Sequence, residues 1–175
     1  MKKYLFTFIT LTVLSACSSY EVPDSPQFSA NNRWAIMPMY NYSNTPLAAE
    51  KAEQILATLL YAKDIKPLRY PNPRPDNLTS ILDESFKQNQ AGAWLSGQKV
   101  DFVITGSVEE WHYKSGLDGE PAVGITLEVK DALSDEIIWQ ASGSRAGWGR
   151  ESVSASGQIV MTELLEGLNI ATRDR

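Results

Sequence analysis

The sequence predicts an α/β domain: a mixed β-sheet with helices packed mainly on one face, in the order β-α-β-α-β-β-β-α. Three observations predict it. Apolar residues recur at helical spacing early and late in the chain, they alternate with polar ones in the stretch between, and proline and glycine mark the joins. Arg33 to Tyr40, carrying Trp34, Ala35, Ile36, Met37 and Met39, reads as a largely buried first strand ended near Pro38. After an Asn41–Asn44 loop, Thr45 is placed to cap a helix whose first position is Pro46, where a missing amide loses no intrahelical partner. Ala49, Ala52, Ile55, Leu56, Leu59 and Leu60 share one face of it, with Glu50, Lys51, Glu53 and Gln54 between them. A short strand over Lys66 to Tyr70 follows, and Pro71, Pro73 and Pro75 enforce an extended link. Leu78, Ile81, Leu82 and Phe86 then mark a helix, and Ala93-Trp94-Leu95, framed by Gly92 and Gly97, a second, short and broken one. Val100 to Trp111 is rich in β-branched and aromatic residues. Val123, Ile125, Leu127 and Val129 alternate with Gly124, Thr126, Glu128 and Lys130, and Ser134-Asp135 leads tightly into Ile137-Ile138-Trp139. Three successive antiparallel strands account for that run. Val153, Val160, Met161, Leu164, Leu165 and Leu168 line a C-terminal helix that ends near Gly167.

Ahead of the domain (33–175) lie a leader (1–16) and a tether (17–32). Lys2 and Lys3 supply a positive start, and Tyr4 to Val13 an apolar stretch shorter than the roughly 20 residues a spanning helix needs. Leu14-Ser15-Ala16-Cys17 resembles a lipobox cut before its cysteine. Cys17 is the only cysteine of the chain, so it is the one residue able to carry a thioether-linked diacylglycerol, with an N-acyl lipid on its amine. The alternatives are an ordinary signal peptide or a buried N-terminal strand. Acyl chains contribute about 0.8 kcal/mol per buried methylene, so several of them anchor firmly where one does not. Ser18, where aspartate would retain a lipoprotein in the inner membrane, points to the periplasmic side of the outer membrane. Ser18 to Asn32, broken by Pro23 and Pro26, reads as an extended tether.

Composition narrows the partners. Losing the leader removes two of the 16 basic residues and leaves all 21 acidic ones, taking the net charge from -5 to -7. Such a protein repels nucleic acid and attracts cations, amines and basic polymers. No disulfide can form within the chain, and no cysteine metal site is available. No cofactor beyond the lipid is expected.

Nor does the sequence read as an enzyme. His112 is the lone histidine, no Gly-x-Ser-x-Gly elbow surrounds a serine, and no histidine pair is spaced for a metal. Glu109 and Glu110 are neighbours on a predicted strand, hence on opposite faces, where they cannot act on one glycosidic bond. Two other places draw attention. The acid-bearing turn Asp118-Gly119-Glu120 lies between two strands; repeated around an axis, each acid becomes a ring of acids whose field a narrow mouth focuses. Asp-Gly is equally common in solvated hairpin turns for backbone reasons alone. Trp148, bared by Gly147 and Gly149 with Arg145 and Arg150 nearby, suits a headgroup layer, where an amphipathic ring and positive charge both gain. A core tryptophan at a strand end is the other reading; Trp34, Trp111 and Trp139 sit in apolar strands and are expected in the core.

Four stretches together carry a resemblance: Trp34 to Ser43, the Thr45-Pro46 start with Ala49-Glu50-Lys51-Ala52-Glu53, Asp101 to Val108, and Gly147-Trp148-Gly149. They resemble the PelC family, outer-membrane lipoproteins of the Pel exopolysaccharide export system. Related periplasmic lipoproteins with TolB N-terminal-like or CsgG-like domains share some of these features; the length and the Gly-Trp-Gly segment favour PelC. The resemblance implies a ring-shaped homo-oligomer, a dodecamer, under the outer membrane, which feeds a cationic polysaccharide towards an outer-membrane porin. It also implies a pore acid at Asp118 and a membrane-facing tryptophan at Trp148. Two other classes stand beside it. A lipoprotein that activates a cell-wall synthase needs a long reach, yet 15 tether residues span at most about 50 Å. A secretion-channel subunit needs a long membrane-crossing hairpin, and Lys114 to Glu120 is brief and polar.

Overall fold

The structure, a computed structural model, describes residues 17–29, 31–71, 84–116 and 119–171. Within them the predicted antiparallel run is the centre of a seven-stranded mixed sheet: β6 (Phe102–Tyr113), β7 (Pro121–Asp131) and β8 (Ile137–Ala146). Across the sheet the order is β1 (Ser18–Glu21), β8, β7, β6, β3 (Trp34–Ile36), β5 (Leu68–Arg69), with β4 (Tyr40–Asn41) also lying beside β6. β3 runs parallel to both β6 and β5. A separate parallel ladder joins β2 (Phe28–Ser29) to β9 (Ile170–Ala171).

Alternation decides which side each strand buries. Ile104 and Val108 of β6 and Ile125, Leu127 and Val129 of β7 point to one face, where α1 (Ala48–Ala62) and α3 (Val153–Glu166) cover them with Ala52, Leu56, Leu60, Val160, Met161 and Leu164. Each fully buried leucine there contributes about 1.5–3 kcal/mol. Gly157 lets α3 close on the sheet: a Cβ at that position would lie 2.3 Å from the Trp111 ring. Trp34, Trp111 and Trp139 are all in this core, as expected. On the opposite face α2 (Glu84–Ser96) covers only the β3 side, where Ala91 meets Met37 and Val103 and the rings of Tyr70 and Trp94 pack edge to face.

Three expectations change. Thr45 does not cap α1: its hydroxyl donates to the carbonyl of Trp111, and the helix starts at Ala48 behind a left-handed Leu47 that makes no side-chain cap bond. A carbonyl on β6 within reach outcompetes the helix amides for that hydroxyl. Among the described residues, Phe86 and Ala93-Trp94-Leu95 share one unbroken helix; Gly92 sits exposed inside α2, and a glycine there costs only about 1 kcal/mol. Leu78, Ile81 and Leu82 lie outside the described residues. The largest change is at the tether. Ser18–Glu21 pairs antiparallel with β8, Phe28 is buried against Trp34 and Phe102, and Asn169 donates its backbone amide to the Ser25 hydroxyl and its side-chain amide to the Ser25 carbonyl. Residues 17–29 are therefore extended but bonded into the domain along most of their length, with Trp139 Nε1 also donating to the Pro23 carbonyl.

Candidate functional site

Cys17 is exposed and immediately precedes β1, and its carbonyl accepts from the amide of Ala146 at the end of β8. The same end of the sheet holds the β6–β7 hairpin and the turn that carries Trp148. In the hairpin, Lys114 donates its amide to the Glu120 carbonyl, and Gly119 takes a left-handed φ of 53° that favours glycine. Glu120 is half-buried. Asp118 lies outside the described residues.

The Trp148 turn is built from the strand it leaves and the helix it enters. Gly147 donates to the Pro121 carbonyl, and Glu151 donates its amide back to the Trp148 carbonyl. Beneath the turn the Glu151 carboxylate gathers three donors: Arg145 Nη1 at 2.5 Å, the Ser156 hydroxyl at 2.8 Å and, at 3.4 Å, the Trp148 amide. Arg145's hydrogen bond, with help from Ser156 and that amide, holds the Glu151 carboxyl below the usual glutamate range against the opposing effect of burial. No side chain fits at Gly147, since a Cβ there would meet Glu151, Pro121 and Ser156 at 2.7 Å. Ser152 then caps α3 by accepting from the Ala155 amide.

This geometry divides the three residues read together from the sequence. Trp148 is 52 % exposed and Arg150 is exposed beside it. Arg145 is turned inward, its side chain 12 % exposed and its charge matched by Glu151. Sequence reasoning missed Glu151, although an acid one residue before the helix-capping Ser152 and just after a Gly-Trp-Gly turn was the available signal.

The open half of the sheet face holds a second departure. A β-bulge between Val108 and Glu110 resets the alternation, so both Glu109 and Glu110 are exposed on the same side, flanking the bare Gly124. Ser107 donates to Glu109 at 2.5 Å, and Ser19, Glu21, Thr126, Ser142 and Ser144 line the same shallow trough. The two carboxylates are therefore neighbours, contrary to the expectation from strict alternation. Among the described residues no group of His, Cys, Asp and Glu could hold a metal ion, and no helix is long and apolar enough to cross a membrane.

No family model matches the chain, and no curated protein matches it. Solved structures do. The PelC dodecamer from Paraburkholderia phytofirmans is 30% identical, with 89% of this chain and 100% of that chain covered and a TM-score of 0.73. A second crystal form of that protein, a variant, gives the same identity and coverage with a TM-score of 0.72. Lipoprotein GNA1162 from Neisseria meningitidis shares the fold at 15% identity, covering 77% of this chain and 96% of that chain with a TM-score of 0.51. The residues that carried the sequence resemblance sit on β3, α1, β6 and the Trp148 turn, the elements that build this architecture, and with a solved relative matched over its whole length this chain belongs to the PelC family.

Proposed function

We propose that the chain is a lipid-anchored protein of the outer membrane that faces the periplasm, assembles into a ring and guides a cationic exopolysaccharide to an outer-membrane porin, supporting a biofilm matrix. The full-length likeness to a PelC dodecamer carries this reading. The placement of Cys17 supports it. With diacylglycerol and an N-acyl chain on that residue, lipid would meet the sheet end that also exposes Trp148 and Arg150, so the same end would contact the headgroup layer.

The acids supply the guide. A lone carboxylate attracts an amine by about 1 kcal/mol at 4 Å in water, too little to direct a polymer. A ring of Asp118 and Glu120, one pair per copy, would sum that field across a narrow opening. The competing reading, a module that reaches away to activate a cell-wall synthase, fits poorly with a first segment bonded to the sheet from Cys17 onward. The test is secretion. In cells whose only copy carries Asp118→Asn, export of the cationic polymer should fall while protein level and oligomer size stay unchanged; undiminished export removes Asp118 from the polymer's path. Trp148→Ala should weaken adsorption of the chain to phospholipid vesicles, and unaltered adsorption removes the ring from the lipid.

A further inference from the structure

The two edges of the sheet carry opposite charge. β1 forms one edge, and among the described residues no strand pairs with its outer side. Around it Glu21, Asp24, Glu163 and Glu166 are exposed, and Glu163 lies close enough to Tyr20 of β1 to add to the effect of burial in raising that hydroxyl's pKa. Arg145, whose charge also reaches Tyr20, is already matched by Glu151. At the far edge, β5 closes the sheet's path among the described residues. Lys66 and Arg69 are exposed there, Lys63 is half-buried, and Lys51 projects from the adjoining face of α1, with Asp64 an acid among them. Arg69 also donates to Gln54 of α1 at 3.0 Å, which fixes the guanidinium along this edge. Leu68, 37 % exposed, adds an apolar contact.

These edges are on opposite sides of one molecule, so no single copy can bring them together. A surface that complements another elsewhere on the same subunit makes a head-to-tail contact, which closes into a ring when the rotation per copy allows. The anchor sets the direction. Cys17 lies at the end of the strands, so lipid attached there would place the strands across the membrane plane and leave the edges facing sideways, towards neighbours.

We propose that adjacent copies of this chain meet edge to edge, the acidic β1 side of one against the basic β5 side of the next. The assignment rests on the ring reading above and names the surfaces that would build it. Charge reversal tests it on the full-length lipidated chain in detergent, with mass measured by light scattering. One variant combines Glu21→Lys with Glu163→Lys, giving two basic edges; the other combines Lys66→Glu with Arg69→Glu, giving two acidic ones. Each alone should weaken assembly at least tenfold, and an equimolar mixture should restore it, because alternating copies again present opposite charges. Restoration on mixing also shows that both variants are folded. The unaltered chain gives a further reading: its assembly should weaken as sodium chloride screens the edges. Variants that assemble alone like the unaltered chain overturn the edge pairing and leave the ring standing, as do variants with unaltered circular dichroism that fail to assemble even when mixed. An unaltered chain that stays monomeric at every concentration overturns the ring and the edge pairing together.

Discussion

Among the described residues two acid–base clusters hold helices, and they are tuned in opposite directions. On one side Lys87 of α2 reaches Glu50 at 3.0 Å and Glu53 at 3.3 Å, both on α1. On the other Arg145 of β8 meets Glu151 under the Trp148 turn. Burial pushes the Glu53 carboxyl above its ordinary range, with Lys87 and the Met39 amide pulling it only part of the way back. Burial acts in the opposite direction on Lys87, lowering it, but the two carboxylates together outweigh it and leave the ammonium above its usual range. Glu151 goes down instead. The difference lies first in burial, which is the strongest influence on Glu53 but is outweighed by hydrogen bonds at Glu151. It lies next in donors: two carboxylates share one ammonium between the helices, whereas one carboxylate has a guanidinium, a hydroxyl and an amide to itself. The buried bridge fastens two helices at a cost to Glu53; the donor-rich clamp fixes a turn and favours the ionised Glu151.

The largest effect is expected from emptying the donor-poor bridge. Lys87→Ala leaves Glu50 and Glu53 facing each other with little water, and removing one partner of such a buried set costs about 3 kcal/mol. The urea midpoint should fall accordingly. A change near zero would mean that the bridge is solvated. The clamp is broken sterically rather than electrostatically. Gly147→Ala drives a methyl against Glu151, Pro121 and Ser156, a strain of about 2 kcal/mol, and faster hydrogen exchange across residues 146–152 should report it.

Acid separates the two clusters with the smallest effect. Glu151 has its folded pKa below its unfolded one, so its contribution is full above the ordinary glutamate range and is lost as pH falls through the folded value. Glu53 has its folded pKa above the unfolded one, so its contribution to stability grows as pH falls through that raised value, before Glu151 begins to titrate. Relative to Glu53→Gln, the unaltered chain should gain stability on mild acidification. Relative to Glu151→Gln it should lose stability below the ordinary glutamate range. Urea unfolding across a pH series checks both signs, and parallel curves would show that the clusters do not differ.

Much of this was legible in the chain itself. β6, β7, β8 and α3 were readable because each buries one clean face, and periodicity is the trace such burial leaves. Other features depend on competition between distant groups. Ser18-Ser19-Tyr20-Glu21 carries almost no apolar pattern and is a strand because β8 offers an unpaired edge more than a hundred residues away. Thr45 had a helix to cap and found the Trp111 carbonyl instead. The bulge that unites Glu109 and Glu110 cannot be inferred from alternation, which it breaks. In the candidate site, the flanking glycines left Trp148 open between an exposed ring and a core one, and it is exposed, whereas the inward turn of Arg145 required knowing where Glu151 would stand.

The opening and closing segments of the domain are clasped together. β1 lies on β8, β2 on β9, and Ser25 is laced to Asn169 and Gly167. β1 and β2 thus have to wait for β8 and β9, more than a hundred residues later, before either can settle, and contacts of such long sequence separation form slowly.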